Sequence, residues 1–208
     1  MTIIITLAVK PKPETRTKPY VLMGADSLKI LANNDLSGQI RVEDERKIFK
    51  VNDKLICMSG SVDTNFYNGF IDFIRENDRN ISELADLVLG HIKNHMFTNE
   101  TYEHARFATY IGCCKDGIPK IAHIQFSKNT PNQHICYIRE PQNGNYETIP
   151  GGNFDFSTDA DILKEFKDKV KDNLELNAVQ SVARDLLEKA ADRHPETCNK
   201  NIKFEILP

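Results

Sequence analysis

Thr2-Ile3-Ile4-Ile5-Thr6-Leu7-Ala8-Val9-Lys10, followed after a proline-rich stretch by Tyr20-Val21-Leu22-Met23-Gly24-Ala25-Asp26-Ser27, decides how this chain is read. The first run is β-branched and too short for a buried helix of ordinary length, so it reads as a strand at the very start of the chain. Pro11, Pro13 and Pro19 lack N–H donors and cannot continue a ladder, so residues 11–19 form the loop of a long hairpin whose second strand is 20–25. Asp26 at the end of that strand, followed by Ser27, is suited to an Asx turn and equally to carrying a carboxylate for chemistry.

Working outward, residues 27–45 are polar and irregular, and 47–51 and 54–60 flank Asn52-Asp53 as a second hairpin. Phe66, Phe70, Phe73 and Ile74 recur at helical spacing after Ser61; Ile81, Leu84, Ala85, Val88 and Ile92 do so after Asn80, which can cap the second segment. Strand-like runs at 105–114, 118–126 and 134–138 are divided by Lys115-Asp116-Gly117 and by 128–132, and a shorter run, 146–149, leads into Pro150-Gly151-Gly152. These runs are expected to form a second antiparallel sheet. Segments 161–172 and 176–193 carry apolar residues at three- and four-residue spacing, before a last strand at 202–206. The predicted order is four strands, two helices, about four strands, two helices and one strand. Two helices cannot cover both faces of one sheet, but two helix pairs can each cap a sheet while the sheets bury their other faces together. The expected fold class is therefore α+β: a four-layer αββα sandwich of two antiparallel sheets, in a single domain over residues 1–208.

Composition narrows the function classes. The chain of 208 residues is 40% hydrophobic and 27% charged, enough for a substantial core, and its formal charge of −3 recommends no nucleic-acid or membrane partner. The apolar run 3–9 is far short of a bilayer crossing and lacks a basic leader, which reads as cytoplasmic. Five cysteines, odd in number and without a CxxC pair, argue against a disulfide framework or a zinc site. Cys57, Cys113 and Cys136 sit in apolar runs and read as small buried side chains. His91 and His95 lie four apart on one helix but no third ligand suggests itself, so no metal and no cofactor is expected. Lys164, Lys167, Lys169 and Lys171 interleave with Glu165, Asp168 and Asp172 as a solvated helix face.

Met1-Thr2, Leu22-Met23-Gly24-Ala25-Asp26-Ser27, Arg46-Lys47-Ile48 and Asn52-Asp53-Lys54-Leu55-Ile56-Cys57-Met58-Ser59-Gly60, in that order, resemble the proteasome β-subunit family and its bacterial relative, the peptidase subunit of a two-component ATP-dependent protease. Both are N-terminal nucleophile hydrolases of αββα fold. The resemblance covers nearly the whole chain: Gly151-Gly152 fall where that family has a Gly-Ser turn, and Asp192-Arg193-His194-Pro195-Glu196-Thr197 where it has an Arg-Asp-x-x-Ser segment.

The resemblance implies a threonine-type peptidase that cleaves amide bonds in peptides or unfolded proteins. Thr2 would supply the hydroxyl nucleophile and, once Met1 is removed, its own α-amino group as the base. Lys47 would place positive charge beside that pair and Asp26 would hold the lysine. Backbone N–H groups of Gly151 or Gly152 would stabilise the oxyanion. Ser27, His194 and Thr197 would support the site, although His194 stands where the family commonly has an aspartate and Thr197 where it has a serine. By alternation alone Lys47 would face solvent. Matching residues 6–10 to the family's first strand would instead put Ile4 at the nucleophile position; parity keeps Thr2, Ile4 and Thr6 on one face in either register. A homo-oligomer and an ATPase partner also follow from the resemblance. Two rival readings are a catalytically inactive structural or binding subunit that retains Met1, and an amidase acting on a small molecule in a closed pocket.

Overall fold

The computed structural model describes residues 2–32, 39–60, 64–98, 106–152 and 154–208. Its strands are β1 (Ile3–Lys10), β2 (Tyr20–Asp26), β3 (Lys29–Ala32), β4 (Gln39–Val42), β5 (Ile48–Val51), β6 (Lys54–Gly60), β7 (Arg106–Lys115), β8 (Ile118–Ser127), β9 (Ile135–Arg139), β10 (Asn145–Gly152) and β11 (Ile202–Leu207). The helices are α1 (Thr64–Glu76), α2 (Ile81–Thr98), α3 (Ala160–Asp172) and α4 (Leu176–Arg193). One antiparallel sheet has the order β10-β1-β2-β11 and the other the order β5-β6-β7-β8-β9.

Strand alternation divides the core into three layers. Odd-numbered Ile3, Ile5, Leu7 and Val9 of β1 pack under α3 and α4 with Phe166, Val170, Val179 and Leu187. Ile4 and Ala8 face the other way and meet Leu55, Cys57, Tyr110 and Ile121 between the sheets. Ile56, Phe107, Ile111 and Ile124, on the outer face of the second sheet, lie under Phe70, Leu84, Val88 and Ile92 of α1 and α2. Each such side chain removed from water contributes about 1.5–3 kcal/mol, so period-2 strands between period-3.6 helices leave one four-layer arrangement. This is the αββα sandwich expected.

Local chemistry sets the boundaries. Asn80 Oδ1 accepts the amides of Ser82 and Glu83 at 3.0 Å each, capping α2 as predicted. Asp116 (φ 52°) and Gly117 (φ 72°) both take the left-handed conformation, the requirement of the tight turn that joins β7 to β8.

Two expectations are corrected. Residues 27–45 are not irregular throughout: β3 and β4 pair antiparallel there, with only four residues each, too few to show alternation. The runs at 105–149 do not make up the second sheet by themselves. β10 crosses over to pair with β1, from Ile3↔Gly152 to Lys10↔Asn145, and the β5–β6 hairpin takes its place beside β7. β1 is buried almost end to end and needs a neighbour on each side, which β2 alone cannot supply. Among the described residues, no helix is long and apolar enough to cross a membrane.

Cys57 and Cys113 are buried as read, whereas Cys136 is half-buried, with its sulfur 4.0 Å from Asp86 Oδ1. His91 and His95 spend their rings on aromatic stacking, against Phe73 at 4.0 Å and Phe66 at 4.1 Å between centroids.

Candidate active site

The head of β1 meets the tail of β2 because the two strands pair from Ile4↔Ala25 to Val9↔Tyr20. Asp26, 1% exposed, is carried one residue past that pairing, alongside Ile3. Its Oδ1 accepts the Ile3 amide at 2.9 Å and Lys47 Nζ at 3.0 Å, while Oδ2 accepts the Leu28 amide at 3.1 Å. The last bond is the Asx turn, so one oxygen ends the strand while the other holds the lysine.

Lys47 is 7% exposed, not on the solvent face that alternation alone gave it. The reason is positional: β5 starts at Ile48, so Lys47 lies ahead of the pleat and is free to turn inward. A buried ammonium is costly unless paired, and the Asp26 carboxylate supplies that pairing.

β10 closes the other side. Gly152 pairs with Ile3 and has φ 74°; a Cβ there would lie 1.8 Å from the Thr2 carbonyl oxygen, so only glycine permits this approach. A Cβ on Gly151 would lie 2.2 Å from both Cζ and Oη of Tyr110. The Gly152 amide donates to Tyr110 Oη at 3.1 Å. Thr2, Asp26, Lys47, Gly151 and Gly152 are thus brought around the head of β1. Thr2 is 6% exposed. Ile4 packs between the sheets at 0% exposure, and Thr2 stands next to Ile3, whose amide meets the Asp26 carboxylate.

The supporting residues are less uniform. Ser27 is buried; its Oγ donates to the Glu43 carbonyl at 2.7 Å and its amide to Asn199 Oδ1 at 3.2 Å, tying the end of β2 to the approach to β11. Thr197 is buried, with Oγ1 3.4 Å from the His194 carbonyl and 3.6 Å from Cys198 Sγ. His194 caps α4, and its ring Nε2 lies 3.2 Å from Oδ2 of the buried Asp159, which also meets Arg193 at 3.4 Å. The ring is therefore committed to the start of α3.

Sequence reasoning missed Tyr110, Cys57, Cys198 and Asn199. Burial pushes the Cys57 thiol up to about 12, with Lys47 opposing and Asp26 adding to it; burial likewise pushes Cys198 up to about 11, with the same two charges acting. Burial thus holds both thiols above the ordinary cysteine range. Tyr110 and Cys57 lie in apolar strand runs that read as core, and a single sequence carries no signal that sets them apart.

Two antiparallel sheets between two helix pairs, with a threonine and a buried Asp–Lys pair at the head of the first strand, make up a fold that this chain shares with solved structures of HslV, BPH and Anbu. The chain is similar to eukaryotic HslV from Trypanosoma brucei, with 13% identity over 99% of this chain and 98% of that one and a TM-score of 0.56. It is similar to BPH from Thiobacillus denitrificans, solved in complex with epoxomicin, with 16% identity, 99% of both chains covered and a TM-score of 0.59. It is also similar to Anbu from Yersinia bercovieri, with 10% identity, 98% of this chain and 81% of that one covered and a TM-score of 0.59. At these identities the likeness is one of fold. No protein-family model matches the sequence, and no curated protein does.

Proposed function

We propose that residues 1–208 form a single proteasome-like domain that acts as an N-terminal threonine hydrolase, cleaving peptide (amide) bonds with Thr2. The observation that carries this reading is the shared oxygen of Asp26: it fixes Lys47 at 3.0 Å and the Ile3 amide at 2.9 Å, so the lysine is anchored one residue from Thr2. With its α-amino group free, Thr2 Oγ1 attacks the substrate carbonyl carbon and its proton passes to that amine. The tetrahedral intermediate collapses with loss of the amine half of the substrate, which takes the proton, and water then hydrolyses the ester left on Thr2. Lys47 favours the deprotonated nucleophile by its charge. The proposed oxyanion donors are the amides of Gly151 or Gly152, of which that of Gly152 donates to Tyr110 Oη at rest. Peptides or unfolded proteins in the cytoplasm are the proposed substrates. Self-association is proposed with them, since Anbu from Pseudomonas aeruginosa was solved as a helical assembly; an ATPase partner would feed such an assembly.

A second reading, a non-catalytic structural or binding subunit, is favoured by His194: it stands where the resemblance expects an acid, and its ring is committed to Asp159. One experiment separates the two. The intact mass of protein from its native host shows whether Thr2 is the first residue, and epoxomicin then labels the wild type but not Thr2→Ala. Retained Met1, or equal labelling of both proteins, would move the conclusion to the non-catalytic subunit.

A further inference from the structure

Tyr110 belongs to β7 of the second sheet, whereas Gly151 and Gly152 belong to β10 of the first, so the hydrogen bond between Tyr110 Oη and the Gly152 amide crosses from one sheet to the other. Tyr110 is 2% exposed. Its ring occupies the space that a Gly151 side chain would need, which is why the strand is glycine at that point. Behind the ring stands His123, its cross-strand partner on β8, stacked at 4.8 Å and 12°; Tyr137 of β9 meets that imidazole edge-on at 5.5 Å. The column of three rings leaves Tyr110 no room to retreat.

The other side of the glycine turn touches Thr2. Because Gly152 approaches the Thr2 carbonyl so closely that no Cβ fits, displacement of the turn is passed directly to the backbone of Thr2. We propose that Tyr110 is a positioning residue for the nucleophile: its ring and hydroxyl together hold the Gly151-Gly152 turn against Thr2, fixing where the threonine stands relative to Lys47. The proposal rests on the hydrolase reading. Catalysis depends on near-attack placement, where an error of about 1 Å costs about 100-fold, so a side chain that sets the strand head acts on kcat without touching substrate.

The test uses the full chain with Thr2 as its first residue and a pooled set of peptide coumarylamides. Tyr110→Phe keeps the ring but removes the acceptor. The expected result is a kcat lowered about tenfold or more with KM within about twofold, together with faster exchange of the Gly152 amide while amides of β6 to β8 keep their protection. Faster exchange with kcat unchanged would overturn the proposal, as would a KM rise that accounts for the whole loss. Tyr110→Leu, lacking ring and hydroxyl, should lose more activity than Tyr110→Phe; equal activity in the two would also overturn it. If wild-type protein with a free Thr2 neither turns over peptides nor takes epoxomicin, the hydrolase reading falls and the positioning role with it. A turning-over wild type with an unimpaired Tyr110→Phe removes the positioning role alone.

Discussion

Asp26 Oδ1 accepts both the Ile3 amide at 2.9 Å and the Lys47 ammonium at 3.0 Å, so a single carboxylate oxygen couples the backbone at the head of β1 to a buried lysine. Removing either partner does more than delete an ion pair. Lys47→Ala leaves a buried carboxylate with only the Ile3 and Leu28 amides to meet its charge, which costs about 3–5 kcal/mol, and it should lower peptide turnover by about 100-fold or more. On an Asp26→Asn background the same change should cost far less. Urea denaturation and kcat/KM of the four proteins form a double-mutant cycle, expected to show coupling above about 1 kcal/mol; additivity within about 0.5 kcal/mol would mean the two residues do not act as a unit.

Gly152 and Gly117 have nearly the same φ, 74° and 72°, but differ in surroundings. A Cβ at Gly117 meets nothing within 4 Å, so Gly117→Ala should cost only its conformational strain, about 1 kcal/mol. At Gly152 the Cβ falls on the Thr2 carbonyl, and Gly152→Ala must push the strand head aside as well. It should lose all measurable turnover and destabilise the fold by at least about 2 kcal/mol more than Gly117→Ala. Thermal and urea unfolding of the two variants would check this, and equal effects would show that the Gly152 contact is not tight.

The β-branched run at 2–10, the apolar run at 20–25 and the helical spacing of the two helix pairs carried the four-layer architecture, because all of these signals are local. Strand partnership is not local, which is why residues 146–149 read as part of the second sheet when β10 in fact closes on β1. Asp26 and Lys47 were legible through their order in the chain; alternation alone misplaced Lys47, since it could not show that β5 begins one residue later. Tyr110 was illegible. Phe107-Ala108-Thr109-Tyr110-Ile111 reads as an apolar strand, and the feature that sets its tyrosine apart, a glycine turn on the opposite sheet, lies about forty residues away and is visible only once the sheets are stacked.

Asp159 offers a test of what holds the end of α4. It is 0% exposed and takes contacts from Arg193 at 3.4 Å and His194 Nε2 at 3.2 Å, while accepting the Asp155 amide at 3.0 Å. Asp159→Ala takes the acceptor from the Asp155 amide and the His194 ring, while Arg193 keeps Asp161 and the Thr158 carbonyl, and should destabilise the chain by about 3 kcal/mol. Asp161, which also pairs with Arg193, is exposed, and Asp161→Ala should shift the melting temperature far less. A reversed ranking in thermal unfolding would place the anchor at Asp161.

His123 gives the fold a pH dependence whose sign is fixed by burial. Its imidazole lies between Tyr110 and Tyr137, its Nε2 is buried without a hydrogen-bond partner among the described residues, and Arg106 and Arg139 act on it with like charge. Desolvation, reinforced by those two guanidinium groups, pushes its pKa down from 6.5 to about 4. In the unfolded chain the ring takes up a proton as the pH drops through about 6.5, while in the folded chain it stays neutral until about 4. Between those values the unfolded state binds more protons, so stability falls with falling pH at close to 1.4 kcal/mol per pH unit and levels off below about 4, for a total of about 3 kcal/mol. His123→Phe keeps a flat ring against Tyr110 and removes the titrating nitrogen. Urea unfolding at pH 7, 5.5 and 4.5 should therefore show the variant gaining on the wild type by about 2–3 kcal/mol across the series. Parallel curves for the two proteins would mean that His123 titrates alike in both states and that the aromatic column does not exclude the proton.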